Sequence, residues 1–304
     1  MRPLTPALAK IAKEQLNEIP ERVEQDLFIL RVWIRQQIHL RARTSDEFLI
    51  AFLRCCSYSL EETKKRIELF FHFYNVLPQI FYNRLVTDRI LHMNRCGIHI
   101  YPEFPKCDNN TALLMVRCGQ FSRKQHRQCE LIKFVTMAME IMALENDNAN
   151  VAGVTQIVDL AGIENAFFHS FDHHTMKMWY FWIRDCLPLR IKQVYFINAS
   201  KDMLRMMQIQ KFFQNETDYP MTVLKTTEEL YNHVPRKCLP EEYGGYNGHI
   251  AECIGYMEDT LRSYKTYFEE DILYGMNENL RSGDVIPYEA EFGLEGSFRK
   301  LELE

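Results

Sequence analysis

The stretch that decides the fold is residues 187–221, LPLRIKQVYFINASKDMLRMMQIQKFFQNETDYPM. Its first part follows a proline and is rich in Val, Ile and aromatic residues, which predicts a buried strand over residues 192–198. The second part predicts a helix with more apolar arc than one core face requires. The apolar side chains are Met203, Leu204, Met206, Met207, Ile209, Phe212 and Phe213. A lipid pocket or a membrane is therefore a candidate to cover this helix part of the time.

The composition is that of a soluble globular protein. The 304 residues are 47% apolar and carry a net charge of −5, which excludes a generally basic nucleic-acid binder. Nine cysteines without a CxxC pair argue against a secreted disulfide framework. No apolar run is long enough to span a membrane, and the first residues lack the apolar core of a signal peptide. We therefore expect a cytoplasmic protein with reduced thiols.

Residues 1–84 carry helical patterns. Apolar residues recur near helical spacing between residues 21 and 40. Two further helices are predicted to start at capping boxes, one formed by Thr44 and Glu47 and the other by Ser59 and Glu62, and the second of them ends at Pro78. The sequence therefore predicts a small all-α three-helix bundle in this region.

Residues 85–248 alternate between strand-like and helix-like runs. Strand-like runs lie at 112–117, 154–160, 192–198 and 222–226, and helix-length segments separate them. Strands rich in Val and Ile without polar alternation predict an α/β domain with a mostly parallel sheet and covering helices. Proline and paired glycines at 240–245 mark its end. Residues 249–304 predict a C-terminal helix followed by an acidic, irregular tail.

Motifs that would indicate an enzyme are weak. No glycine-rich phosphate loop follows the first strand. Cys118 and Arg123 are spaced one residue short of a phosphatase loop. Asp159 ends a strand, where catalytic carboxylates occur, but it also suits a turn. We expect neither a cofactor nor a catalytic residue.

Clusters of candidate metal ligands are equally weak. His169, His173 and His174 lie near helical spacing, but no Cys or carboxylate stands at ligand distance from them. Four cysteines are evenly spaced without matching a metal-ligand pattern, and they are Cys96, Cys107, Cys118 and Cys129. The sequence therefore predicts no metal site.

Several motifs in order resemble the CRAL-TRIO lipid-transfer family, in the branch of alpha-tocopherol transfer protein, retinaldehyde-binding protein and the clavesins. Residues 46–54, DEFLIAFLR, are similar to a signature of the N-terminal bundle. The strand and turn at 153–162, the segment 188–198 and the closure LPEEYGG at 239–245 are similar to elements of the lipid-binding domain. The resemblance covers residues 25–248, and the ending at 293–301 resembles arthropod members.

The resemblance implies an apolar cavity on the sheet, closed by a gate helix at 198–221. An apolar cavity with few polar groups suits one hydrophobic ligand. The expected cavity residues are Ile132, Val135, Met139, Val154, Val158, Ile163, Trp179, Trp182, Ile183, Leu187, Ile191 and Val194. The expected gate residues are Met203, Met206, Met207, Ile209, Phe212 and Phe213. Any single cavity residue could equally be plain core.

The resemblance also implies a basic cluster that binds phosphoinositide headgroups, which this chain retains in part. Arg190 and Lys192 keep two of its members, and Lys211 adds a third cation. Cys56, Thr217 and Met221 stand where relatives carry Lys or Arg. Two basic charges contribute about 1 kcal/mol each towards an anionic leaflet. The gate is therefore expected to be more lipophilic and less selective for headgroups.

We expect a non-enzymatic, monomeric carrier that binds one tocopherol-, retinoid- or similar lipid-like ligand and contacts anionic membranes transiently as a peripheral protein. An interaction adaptor with a filled cavity, for instance by Trp179 and Trp182, is the first alternative. A lipid-modifying enzyme is the second, with Cys186, Asp185 and His169 as its candidate residues.

Overall fold

A computed structural model describes residues 2–102, 111–122, 124–163, 172–200 and 220–281. The first part of the chain is helical. Its helices are α1 (Pro6–Leu16), α2 (Pro20–Gln36), α3 (Asp46–Cys55), α4 (Leu60–Val76) and α5 (Pro78–Phe81). Helices α2, α3 and α4 correspond to the three predicted helices, and α1 and α5 are additional. The helical N-terminal region is confirmed.

Two serines start the helices of the expected bundle. The side chain of Ser59 accepts a hydrogen bond from the Glu62 amide, as predicted for α4. The predicted cap of α3 is wrong by one residue, because Ser45 rather than Thr44 accepts from the Phe48 amide. Both residues can cap a helix, and local spacing alone did not separate them.

Within the described residues, five strands form the main sheet. They are β2 (His99–Ile100), β3 (Ala112–Arg117), β4 (Val154–Asp159), β5 (Ile191–Ile197) and β6 (Met221–Val223), hydrogen-bonded in that order. Strands β3 to β6 are parallel, and β2 is an antiparallel edge. A separate two-stranded sheet pairs β1 (Leu40–Arg41) with β7 (Gly275–Met276). The predicted α/β fold with a mostly parallel sheet is confirmed.

Helices cover both faces of the main sheet. Further helices are α6 (Asp88–Arg95), α7 (Gln128–Glu145), α8 (Asp147–Val151) and α9 (His173–Phe181), followed by a π-helical turn Trp182–Cys186. On one face, Leu114 and Val154 share a core with buried residues of α7 and of the N-terminal helices. On the other, Leu113 and Ile157 pack with Ile250, in the helix Ile250–Ser263. We call the first side of the sheet the α7 face.

The remaining short elements follow β3 or lie after the last strand of the main sheet. They are the helices Thr227–Leu230 and Lys265–Glu269 and the 3-10 turns Cys118–Gln120, Arg236–Cys238, Glu241–Tyr243, Glu270–Leu273 and Glu278–Leu280. Among the described residues, no helix is both long enough and apolar enough to cross a bilayer.

A fully buried arginine joins three parts of the chain. The guanidinium of Arg84 donates to Asp271 at 2.8 Å, to Glu140 on α7 at 2.5 Å and to the hydroxyl of Tyr74 on α4 at 2.7 Å. Arg43 also donates to Asp271 at 2.8 Å. Burial opposes the charge, but Asp271 and Glu140 hold the pKa of Arg84 well above its ordinary value. This network locks the N-terminal helices, α7 and the C-terminal segment together.

The arginine that ends the DEFLIAFLR motif has a structural role. The buried Arg54 guanidinium donates twice to Glu18, at 2.8 and 3.1 Å, and once to Asn150 at 3.1 Å. A planar fork that meets a carboxylate on two sides is specific to arginine. The motif therefore fixes α3 to the chain after α1 and to α8 of the sheet domain.

Candidate functional site

Four apolar side chains form a row across the α7 face of the sheet. Val116 on β3 is in register with Val158 on β4, Val158 with Phe196 on β5, and Phe196 with Val223 on β6. Because strand side chains alternate between faces, register places all four on the same side. Each of them is half-buried. We call this row the apolar wall.

The apolar wall is separate from the core beneath α7. Val116, Val158 and Phe196 pack around the buried Cys118 and Leu160, together with Ile163 and Ala199, as a cluster of their own. The sheet residues nearer the start of the strands, Leu114 and Val154, belong to the large core instead. The carboxyl half of this sheet face is therefore apolar without being part of the main core.

Eleven of the twelve expected cavity residues divide between these two clusters. Val158 and Ile163 lie in the cluster of the apolar wall. The expected residues that are buried in the large core are Ile132, Val135, Met139, Val154, Trp182 and Leu187, and those partly buried against it are Trp179, Ile183 and Ile191. Val194 is buried on β5, on the α7 face. Their assignment as ligand contacts stays a prediction.

Trp182 packs against the N-terminal helices. Its ring centroid lies 5.9 Å from that of Phe70 on α4 and 5.2 Å from that of Phe81 on α5. The side chain is fully buried. Trp182 therefore belongs to the large core and not to the cluster around Val158 and Phe196.

The expected gate residues Met203, Met206, Met207, Ile209, Phe212 and Phe213 and the cation Lys211 lie outside the described residues. Thr217 lies outside them as well, as does the ending at 293–301. Met221 is half-buried at the start of β6, next to the predicted gate.

The carboxyl end of β4 is tied to the LPEEYGG closure. Asp159 accepts hydrogen bonds from the Tyr243 hydroxyl at 2.6 Å, from the Asn198 amide at 2.7 Å and from the Ala161 backbone at 2.9 Å. Burial, reinforced by the Asp159 carboxylate, raises the pKa of Tyr243, which keeps the hydroxyl a neutral donor. These contacts occupy Asp159, so it holds three motifs together at this edge of the sheet.

A basic cleft of about 390 Å³ lies at the opposite end of β5. Its cationic lining consists of Arg66, Arg184, Arg190 and Lys192, with Cys55, Ile183, Asp185, Leu189, Ile191 and Pro220 completing it. The sequence predicted Arg190 and Lys192 in a basic cluster and missed Arg66 and Arg184. Arg66 lies on α4, far away in sequence, and no local pattern marked it.

The cations of the cleft differ in their partners. Arg66 donates to the backbone oxygens of Leu187 at 2.8 Å and of Arg184 at 3.1 Å. Arg190 donates to the Val151 carbonyl, while its Nε lacks a partner within the described residues. Burial lowers the pKa of Arg190, and burial and the nearby Arg190 charge lower the pKa of Lys192. An anion in the cleft would stabilise both charges.

The candidate nucleophiles are poorly suited to chemistry. Cys186 is fully buried, and burial raises the pKa of its thiol well above the ordinary value. Burial also raises the pKa of Cys118 to about 12. A protonated thiol is a weak nucleophile. Asp185 pairs with its neighbour Arg184 at 2.6 Å.

The histidines expected near residue 170 form no described cluster. His169 lies outside the described residues, and the side chain of His173 is not described. His174 is exposed on α9. Elsewhere the described residues bring together His92, Cys96 and His126, which the sequence did not group.

Comparison with known proteins identifies two domains. Residues 104–245 match the CRAL/TRIO domain, and residues 19–90 match the Pinta-like, UBA domain. Over 250 residues the chain is 24% identical to alpha-tocopherol transfer protein-like of Mus musculus, covering 81% of this chain and 72% of the relative. It is 21% identical to Clavesin-1 of Xenopus laevis over 253 residues, covering 80% and 74%.

Among solved structures, the chain is similar to the crystal structure of Sfh5. The TM-score is 0.49 at 13% sequence identity, covering 83% of this chain and 92% of the other. The match of residues 104–245 and the two relatives agree with the motifs found in the sequence. Residues 104–245 therefore match the CRAL/TRIO domain, the same domain that the sequence motifs resemble.

Proposed function

We propose that this chain is a non-enzymatic carrier that holds one hydrophobic ligand against the apolar wall. The observation that carries the proposal is the row of half-buried Val116, Val158, Phe196 and Val223 in register across four strands. A ligand site of this kind needs apolar walls with few polar groups. The CRAL/TRIO domain and a relative named as a transfer protein support the same role.

The site lies where ligands of open parallel sheets commonly bind. The row occupies the carboxyl half of the strands, beside the turns that follow β3, β4 and β5. In open α/β sheets, ligands bind at the carboxyl ends of the strands. The predicted gate follows β5 directly in the sequence, so it would start at the end of this row.

Two adjacent residues of β5 offer a matched test of the apolar wall. Phe196 points to the α7 face and Tyr195 to the opposite face, and both are half-buried. Replacing a ligand-contacting aromatic side chain with glutamine removes about 2 kcal/mol of apolar burial, which is roughly a 30-fold loss of affinity. We expect Phe196→Gln to lose ligand by this factor in binding assays with a fluorescent lipid.

Tyr195→Gln is the control, because its side chain stacks on His233 at a centroid distance of 5.0 Å on the other side of the sheet. Its affinity should stay within a few-fold of the parent. Equal loss in both variants, or no loss in Phe196→Gln, would exclude the apolar wall as the ligand site.

We further propose that the basic cleft attracts anionic phosphoinositide headgroups at the membrane surface. Within the described residues, Arg190 and Lys192 form no ion pair, and burial places a cost on the Arg190 charge. Two such charges contribute about 1 kcal/mol each at an anionic surface. Arg190→Gln with Lys192→Gln should weaken sedimentation with phosphoinositide vesicles roughly 30-fold.

The matched control for the cleft is Arg89→Gln, since Arg89 is exposed and pairs with Glu130 at 2.7 Å away from the cleft. It removes a cation without touching the lining. Vesicle binding that falls equally in the double variant and in Arg89→Gln would indicate net charge rather than a headgroup site.

The alternatives have weaker support. An adaptor with a filled cavity would place large side chains over the apolar wall, whereas Trp182 packs against Phe70 and Phe81. A lipid-modifying enzyme would need a reactive group, and the Cys186 thiol is buried with a strongly raised pKa.

The gate helix remains a proposal from the sequence. It predicts slower transfer of ligand between vesicles in Met206→Asp and Phe213→Asp.

A further inference from the structure

Three side chains with metal-binding atoms meet beside the end of α6. His92 and Cys96 are four residues apart and lie on one face of that helix end. His126 comes from the segment just before α7. The ligand atoms of the three residues lie within 4.8 Å of one another. None of the three residues belongs to the cluster of the apolar wall, and none lines the basic cleft.

The distances between these atoms are close to the distances between the ligand atoms of a tetrahedral zinc site. Sγ of Cys96 lies 3.6 Å from Nε2 of His92 and 3.1 Å from Nε2 of His126. With Zn–S of about 2.3 Å and Zn–N of about 2.0–2.1 Å, a sulfur and a nitrogen ligand lie about 3.6 Å apart. The first distance already agrees, and the second requires His126 to move outward by about 0.5 Å.

The surroundings suit a cation that exchanges with solvent. His92 is exposed, Cys96 is half-buried and His126 is buried, so the group is open on one side. The C-terminal end of a helix carries a partial negative charge, which favours a cation there. Both features are independent of the ligand distances.

We propose that His92, Cys96 and His126 bind a divalent zinc-type cation, with water in the fourth position. Imidazole nitrogen and thiolate sulfur are ligands that zinc prefers. The ion would connect the end of α6 to the segment that enters α7. Neither the family match nor the expected ligand site assigns a role to these three residues.

One hydrogen bond must change when the ion binds. The Ser122 amide donates to Nδ1 of His126 at 3.0 Å, so the ring proton sits on Nε2, facing Cys96. A metal at Nε2 moves that proton to Nδ1, and Cys96 releases its own proton to solvent. The Ser122 amide then turns away from the ring. One lost hydrogen bond is a small cost against three metal–ligand bonds.

The test uses the full chain, kept reduced and stripped with a chelator, and titrated with Co²⁺ and then Zn²⁺. We expect one equivalent of Co²⁺ to give a thiolate-to-cobalt charge-transfer band that Zn²⁺ displaces. In amide NMR spectra, the Ser122 resonance should shift at the same stoichiometry. Wild-type protein without this band would overturn the proposal.

Variants separate the three ligands from other thiols. Cys96→Ser should abolish the band, and His92→Ala should weaken Zn²⁺ binding at least about tenfold, the effect expected even for outer-shell partners. Cys129→Ser is the control, since Cys129 is a half-buried thiol three residues after His126 and outside the group. The assignment would be refuted if His92→Ala, whose side chain is exposed, kept its Zn²⁺ affinity. It would also be refuted if Cys129→Ser lost the band while Cys96→Ser kept it.

Discussion

The buried Arg84 network should dominate the stability of the chain. Replacing Arg84 with methionine keeps much of the side-chain volume but removes three donors, those to Asp271, Glu140 and Tyr74. Asp271 keeps its contact with Arg43, and Glu140 keeps the Tyr267 hydroxyl at 2.7 Å. Breaking a buried pair on one side costs about 3–5 kcal/mol, because a carboxylate stays buried without its partner.

This loss is a large share of the ordinary stability of a domain, about 5–15 kcal/mol. We expect Arg84→Met to lower the urea midpoint and to reduce the melting temperature by roughly 6–10 °C, at about 2 °C per kcal/mol for a chain of this size. Arg84→Lys should lose nearly as much, since one ammonium group cannot reproduce a fork that meets three partners.

Arg89→Met provides the matched control, because Arg89 is exposed and solvent screens its pair with Glu130, so the pair should contribute little to stability. Urea unfolding followed by circular dichroism and tryptophan fluorescence measures both variants. If Arg84→Met unfolds at the same urea concentration as Arg89→Met, the network does not join the three parts of the chain as described.

Three further variants test other contacts. Burial lowers the pKa of His99 to about 3, so the unfolded chain binds the proton first and stability falls as the pH drops below about 6.5, by about 2 kcal/mol at pH 5. His99→Gln should therefore lose about 1.6 kcal/mol less stability than the parent between pH 6.5 and 5. Tyr243→Phe, which removes the donor to Asp159, should cost about 1.5–3 kcal/mol. Gly119→Ala should cost about 1–3 kcal/mol, because its Cβ would lie 2.1 Å from the backbone oxygen of Ala161 in the turn after β4.

The controls for these variants lie in the same chain. Gly255 has open space around its Cβ position inside a helix, so Gly255→Ala should stabilise by up to about 1 kcal/mol. If the stability of His99→Gln falls with pH as steeply as that of the parent, groups other than His99 cause the loss of stability in acid. If Tyr243→Phe leaves the free energy of urea unfolding unchanged, the hydrogen bond to Asp159 does not stabilise the fold. If Gly119→Ala leaves it unchanged, the turns at Gly119 and Ala161 are not packed as closely as described.

Local patterns predicted the α/β fold because they report local physics. Runs of Val, Ile and aromatic residues marked β3, β4 and β5 within a residue or two. Capping chemistry marked α4 correctly and α3 one residue early. The short strand β2 was missed, because two paired residues leave no periodicity to read.

Contacts between residues that are far apart in the sequence were not predicted. Arg84 and Asp271 are 187 residues apart, and nothing local distinguishes them from surface charges. The same holds for Arg66 in the basic cleft and for His126 beside Cys96. Of the four residues of the apolar wall, the sequence predicted only Val158, together with Ile163 in the same cluster, because strand register decides which side chains share a face.

The central claim is that the apolar wall holds one hydrophobic ligand, and the lipid content of the purified chain tests it most directly. Native mass spectrometry of the full chain, followed by solvent extraction, should release one lipophilic molecule per chain, and Phe196→Gln should release far less than Tyr195→Gln. A chain that carries no lipid from several expression hosts and takes up none from vesicles would contradict the claim.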